Sequence, residues 1–122
     1  MGKWAESLPE RRSHGPWKDD YAASALESIA IAMAHGAEPS QCLDSIRDAA
    51  VEVRAWRKSL PRGLRGTRAV AGLESTPREC LRSAARSVLT ADGSHTQGYA
   101  AINMRQAEAY LREGARLIEK GE

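Results

Sequence analysis

Residues 39–60 read PSQCLDSIRDAAVEVRAWRKSL. Cys42, Ile46, Ala49, Val53, Trp56 and Leu60 recur at alternating spacings of four and three, the stripe of an amphipathic helix that buries one face. Pro39 suits a first helical position, where its missing N–H has no helical partner anyway. Asp44, Asp48 and Glu52 occupy the first half, and Arg54, Arg57 and Lys58 the second. That order complements the helix dipole. A helix of this length needs partners, and the rest of the chain supplies them in the same pattern.

Upstream, Ala22, Leu26, Ile29 and Met33 form a similar stripe, widened by Ala25 and Ala32. A helix over about 17–35 follows, with Asp19 and Asp20 in its first turn and His35-Gly36 at its close. The link to Pro39 is so short that the two helices must be spatial neighbours. Downstream, Thr76-Pro77-Arg78-Glu79 opens a third helix over 77–91. Thr76 caps it, and Glu79 stands where it completes a capping box. Its buried face is Leu81, Ala84, Ala85 and Val88, and it stops at Asp92-Gly93. The last helix, 97–119, carries the stripe Ala100, Met104, Ala107, Leu111, Gly114 and Ile118, and Tyr99, Ile102, Tyr110 and Leu117 extend its apolar surface. Glu108 and Arg112 are placed on its polar side as an i,i+4 pair. Gly114 costs about 1 kcal/mol in a helix interior, so its position on the stripe predicts a second backbone close by.

No segment alternates β-branched residues as a strand does. The fold class is therefore all-α, a bundle of four principal helices or two helical hairpins, within one domain over 17–122. Residues 1–16, with Pro9, Gly15 and Pro16, are an N-terminal arm or short helix. Residues 61–76, PRGLRGTRAVAGLEST, are a basic Gly/Arg connector in which Thr67 to Leu73 suits a helical turn. Pro39–Ser45 and Pro77–Ser83 share Pro, Cys, Leu and Ser at an offset of 38 residues. Either a duplicated unit or two helices with a common opening accounts for that.

At 122 residues the chain is long enough for a core without disulfides or metal. It has no Phe and only 5% aromatics, so much of the core must be Ala, which buries little area per residue. Such a core gains from a second copy, and a homodimer is expected. A net charge of +2 from 18 basic and 16 acidic residues does not suggest a nucleic-acid coat or a membrane-surface protein. No apolar run reaches a membrane span, and MGKWAESLPERRSH lacks the apolar core of a signal peptide. With two cysteines and no framework for disulfides, the expected location is cytoplasmic.

Chemistry is sparse. Cys42, Cys80, His14, His35 and His95 show no metal-ligand spacing, and no nucleophile elbow, phosphate loop or dinucleotide fingerprint occurs. Neither a cofactor nor enzymatic activity is expected. Two surfaces remain as candidate partner sites. From Arg57 to Arg78 the chain carries Arg57, Lys58, Arg62, Arg65, Arg68 and Arg78 against Glu74, and Arg57, Arg62, Arg65 and Arg68 suit phosphates or an acidic protein patch. Trp17 and Tyr21 lie one turn apart and either mark a protein contact or plug the bundle end.

The expected function is a small non-enzymatic helical protein of bacterial or phage type that binds another macromolecule, most simply a protein, as adaptor, regulator or inhibitor. The alternative is a nucleic-acid-binding regulator acting through the Arg-rich connector or a helix-turn-helix-like segment at 28–45. In that segment Ala32 and Gly36 have the motif's spacing, and Ile31, Ala37 and Cys42 should be buried. The acidic opening of the second helix speaks against phosphate contact there.

Overall fold

The computed structural model describes residues 20–35, 38–65 and 76–121. Its elements are α1 (Tyr21–Ala34), α2 (Pro39–Lys58), the short α3 (Arg62–Arg65), α4 (Pro77–Asp92) and α5 (Gln97–Glu119). No strand occurs among the described residues, and the four long helices pack as a bundle.

Each stripe read from the sequence turns inward. Ile29 and Met33 of α1, Ile46 and Val53 of α2, Leu81 and Val88 of α4, and Met104 and Leu111 of α5 are at most 1% exposed. Alanines from all four helices fill the space between them, so backbones approach closely and the large side chains interlock. Thr76 Oγ1 accepts a hydrogen bond from the Glu79 N–H at 3.2 Å, and Thr96 Oγ1 caps α5 through the Tyr99 N–H at the same distance.

Around the bundle the order is α1, α2, α5, α4, and α4 returns to α1 across the sparsest seam. Ion pairs give the direction. Arg47 in mid-α2 meets Glu119 at the end of α5, and Arg57 near the end of α2 meets Glu108 in mid-α5, each at 3.0 Å. These helices are therefore antiparallel. The short link over 93–96 makes α5 antiparallel to α4 as well, so α2 and α4 run parallel on opposite corners. The fold is two hairpins, α1–α2 and α4–α5, joined by a crossover. Because α2 and α4 run parallel on diagonal corners, the crossover from the end of α2 to the start of α4 must travel both across the bundle and back along it. That path explains why this link is long and the other two are short.

Several expectations are adjusted. Within the connector, the described helical turn is Arg62–Arg65, packed against α5 and α2; residues 67–73 lie outside the described residues. Buried Leu60 pins the chain just before that turn. α1 begins at Tyr21, so Asp20 is its N-cap residue and its first turn holds no acidic side chain. Tyr99 and Ile102 do not extend the buried stripe of α5 but face solvent at 56% and 41% exposure. The proposed arm 1–16, with Trp4, lies outside the described residues, as does Gly36.

The shared openings of α2 and α4 occupy opposite corners and different places in their hairpins. A repeat of whole hairpins would match α1 with α4 and α2 with α5. The matched heptapeptides instead work as helix starts, each with Pro in the first turn and a fully buried Cys one turn in.

Candidate functional site: the α2–α5 seam

Two faces of α5 are built differently. Toward α4 it is close-packed. A Cβ on Gly114 would stand 3.3 Å from the Cys80 Cβ and 4.0 Å from the Pro77 carbonyl oxygen, so the glycine admits the first turn of α4, the close approach its place on the stripe predicts.

Toward α2 the helix is tied by charge and leaves space. The sequence places Glu108 on a polar face, yet it is only 8% exposed. The antiparallel register explains the difference, because α2 delivers Arg57 directly over it. Arg57 Nε and Nη2 donate to Glu108 Oε1 at 3.2 and 3.0 Å, and Arg112 Nε and Nη2 donate to Oε2 at 3.0 and 2.8 Å. Both carboxylate oxygens are thus engaged side-on by a guanidinium fork. Burial alone would push this carboxyl up; the hydrogen bonds from Arg112 and Arg57 outweigh it and hold it below its usual value.

Between this triad and the Arg47–Glu119 tie the seam opens into a groove of about 440 Å³, lined by Ile46, Arg47, Ala50, Val51, Arg54, Leu111, Arg112, Ala115 and Glu119. Its floor is apolar, from Ile46, Ala50, Leu111 and Ala115. Val51 stands at its edge 64% exposed. Arg47, Arg54 and Arg112 rim it, and Arg54 makes no ion pair among the described residues. On the other side of the triad a smaller pocket of about 220 Å³ is lined by Arg57, Arg105, Glu108, Ala109 and Arg112.

The residues singled out in the sequence separate. Arg57 belongs to the α2–α5 seam and not to the connector, with its side chain 12% exposed. Arg62 is exposed on α3. The Arg65 side chain, Arg68 and Trp17 lie outside the described residues. Tyr21 is half-buried and packs against the core. The helix-turn-helix pattern requires Ile31 to be buried, and it is 42% exposed; Ala37 lies outside the described residues. Cys42 is buried, its Sγ donating to the His35 carbonyl at 2.7 Å. Burial pushes this thiol up from its ordinary value.

The sequence reading missed the groove. One signal for it existed: Val51 lies off the stripe of α2, with Arg47 and Arg54 at i−4 and i+3 on the same face. The opposite wall had none, since which α5 residues meet them depends on interhelical register.

Among the described residues no cluster of His, Cys, Asp and Glu is arranged to hold a metal ion. No described helix is long and apolar enough to cross a membrane. Comparison of the chain with known protein families, curated proteins and solved structures finds no match in any of the three.

Proposed function

We propose that the protein is a non-enzymatic helical adaptor, regulator or inhibitor that binds a protein partner through the α2–α5 groove. The observation that carries this reading is an apolar floor opened to solvent between two ion-pair ties, with an exposed valine at its edge and arginines around it. A groove of this size suits an apolar anchor, and the rim favours carboxylates flanking it. An amphipathic helix with acidic residues beside its apolar stripe has that chemistry.

The test is an NMR titration of the labelled protein with a synthetic acidic amphipathic helix. A scrambled peptide, a basic counterpart and a short DNA duplex serve as comparators. Saturable shifts centred on Val51, Ala50, Leu111 and Ala115, lost in Val51→Glu, support the reading. Shifts from the duplex alone, centred on Arg57 and Arg62 and vanishing as salt rises, would replace it with the nucleic-acid alternative.

A second reading, self-association, is favoured by α1. Its sequence YAASALESIAIAMA contains one charged residue, Glu27, and Ile31 faces outward. A helix apolar nearly all round is usually covered on both sides. Light scattering of the wild type and of Ile31→Glu tests it: a dimer that the substitution converts to monomer supports it, and a monomeric wild type removes it.

A further inference from the structure

The large apolar side chains exposed among the described residues are Ile31, Val51, Tyr99 and Ile102. Val51 borders the α2–α5 groove, so the other three are the chain's own candidates to enter it. Charge separates them. Two rim arginines, Arg47 and Arg112, are engaged by Glu119 and Glu108. Arg54, one turn past Val51, is exposed and makes no ion pair among the described residues. Ile31 has the reciprocal arrangement. Glu27, one turn before it, is the single charged side chain of α1. It is exposed and likewise makes no ion pair among the described residues. Tyr99 and Ile102 have no acidic residue near them from Gln97 to Gln106 and precede Arg105, so they bring the rim no counter-charge. Ile31 is also flanked by the small Ala30 and Ala34, which makes it a lone knob on its face. The groove of about 440 Å³, floored by Ile46, Ala50, Leu111 and Ala115, has room for such a knob. Within one chain the two cannot meet, because α1 is held against α2 and α4 through its opposite, buried face.

We propose that the α2–α5 groove receives the Glu27–Ile31 face of α1 from a second copy of this chain. Ile31 seats on the apolar floor beside Val51, and Glu27 pairs with Arg54. The inference rests on the groove being a docking surface, and it names the occupant. Apolar burial supplies the attraction, and the rim pair sets the register. Donor face and acceptor groove are different surfaces, so the contact is head-to-tail and every copy offers one of each.

The experiment is sedimentation and light scattering of the full chain over a range of concentrations, for the wild type, Ile31→Glu, Val51→Glu and an equimolar mixture of the two variants. Expected is a wild-type mass that rises above the monomer with concentration, while each variant alone stays monomeric. The mixture forms a one-to-one heterodimer, because the intact α1 of Val51→Glu enters the intact groove of Ile31→Glu. Charge reversal gives a second reading at two exposed positions. Glu27→Arg and Arg54→Glu each weaken association by about fivefold or more, and the double variant recovers it. Circular dichroism verifies that every variant keeps the bundle. Assembly of Val51→Glu like the wild type would place the contact between two α1 helices and overturn the inference, as would a mixture that stays monomeric. A monomeric wild type overturns it too, and the acidic-helix titration then separates the two failures. Shifts at Ala50 and Leu111 keep the groove as a docking surface for a different protein, and their absence removes the groove reading as well.

Discussion

Helix α5 meets α4 and α2 by opposite means. Against α4 it presents Gly114, which lets the first turn of α4 come within contact of its backbone. Against α2 it presents Glu108, Arg112 and Glu119, and long charged side chains hold the helices while leaving volume between them. Close packing maximises dispersion and apolar burial but has no room for a ligand. Charge ties fix register at a few points and leave the intervening surface open. One seam of the molecule is therefore closed by packing, and the other is held by charge and leaves a groove open.

The sharpest way to break this comparison is to cut each seam once. Leu81→Ala, at a fully buried site on α4, is expected to cost about 3–4 kcal/mol by cavity formation, read from urea unfolding. Gly114→Leu attacks the same seam by overfilling and should lower the midpoint as well. Either variant with wild-type stability would mean that the α4–α5 seam is looser than its geometry implies.

Glu108→Ala comes next, at about 2–3 kcal/mol. Removing the carboxylate leaves Arg57 without its principal counter-charge, and 12% exposure of that side chain tempers the loss. Because the folded-state value of Glu108 lies below its ordinary 4.5, its stabilisation is fully present above that pH. It disappears as acid carries the pH down through the folded value. The gap in urea midpoint between wild type and Glu108→Gln should accordingly shrink from pH 7 toward pH 3. A gap that stayed constant would show that the triad does not depend on the ionised carboxylate.

Thr76→Ala removes the cap of α4 and is expected to cost about 1 kcal/mol, checked by thermal melting. The smallest effect belongs to Arg47→Ala. Its pair with Glu119 has both side chains more than half exposed, at 59% and 52%, and such pairs contribute about 0.5 kcal/mol or less. A large loss at Arg47 would erase the distinction between a buried triad and a surface tie on one seam.

Much of this is legible in single residues. The heptad-like stripes of α2, α4 and α5 depend only on side chains three and four apart on one helix, a local property. The Thr76 cap is equally local, and it forms where the Thr-Pro-x-Glu pattern places it. The environment of Glu108 is not local. Its neighbours on α5 mark a polar face, and only the antiparallel docking of α2 sets Arg57 over it and converts that face into a seam. Ile102 fails for the mirror reason: it lies near an apolar stripe, but no described helix covers its angular position, and it is 41% exposed.

By itself, then, the chain determines four amphipathic helices, their stripes, the Thr76 cap of α4 and the two short links that force hairpins, because each depends on contacts within a few residues of sequence. Tertiary structure alone decided that α2 and α4 run parallel across a diagonal, that Arg57 leaves the basic connector to hold Glu108, and that Val51 borders a groove. Those follow from which helix lies beside which and in what register. A stripe specifies that a face must be covered, while the covering partner and its alignment emerge only when all four faces are satisfied together.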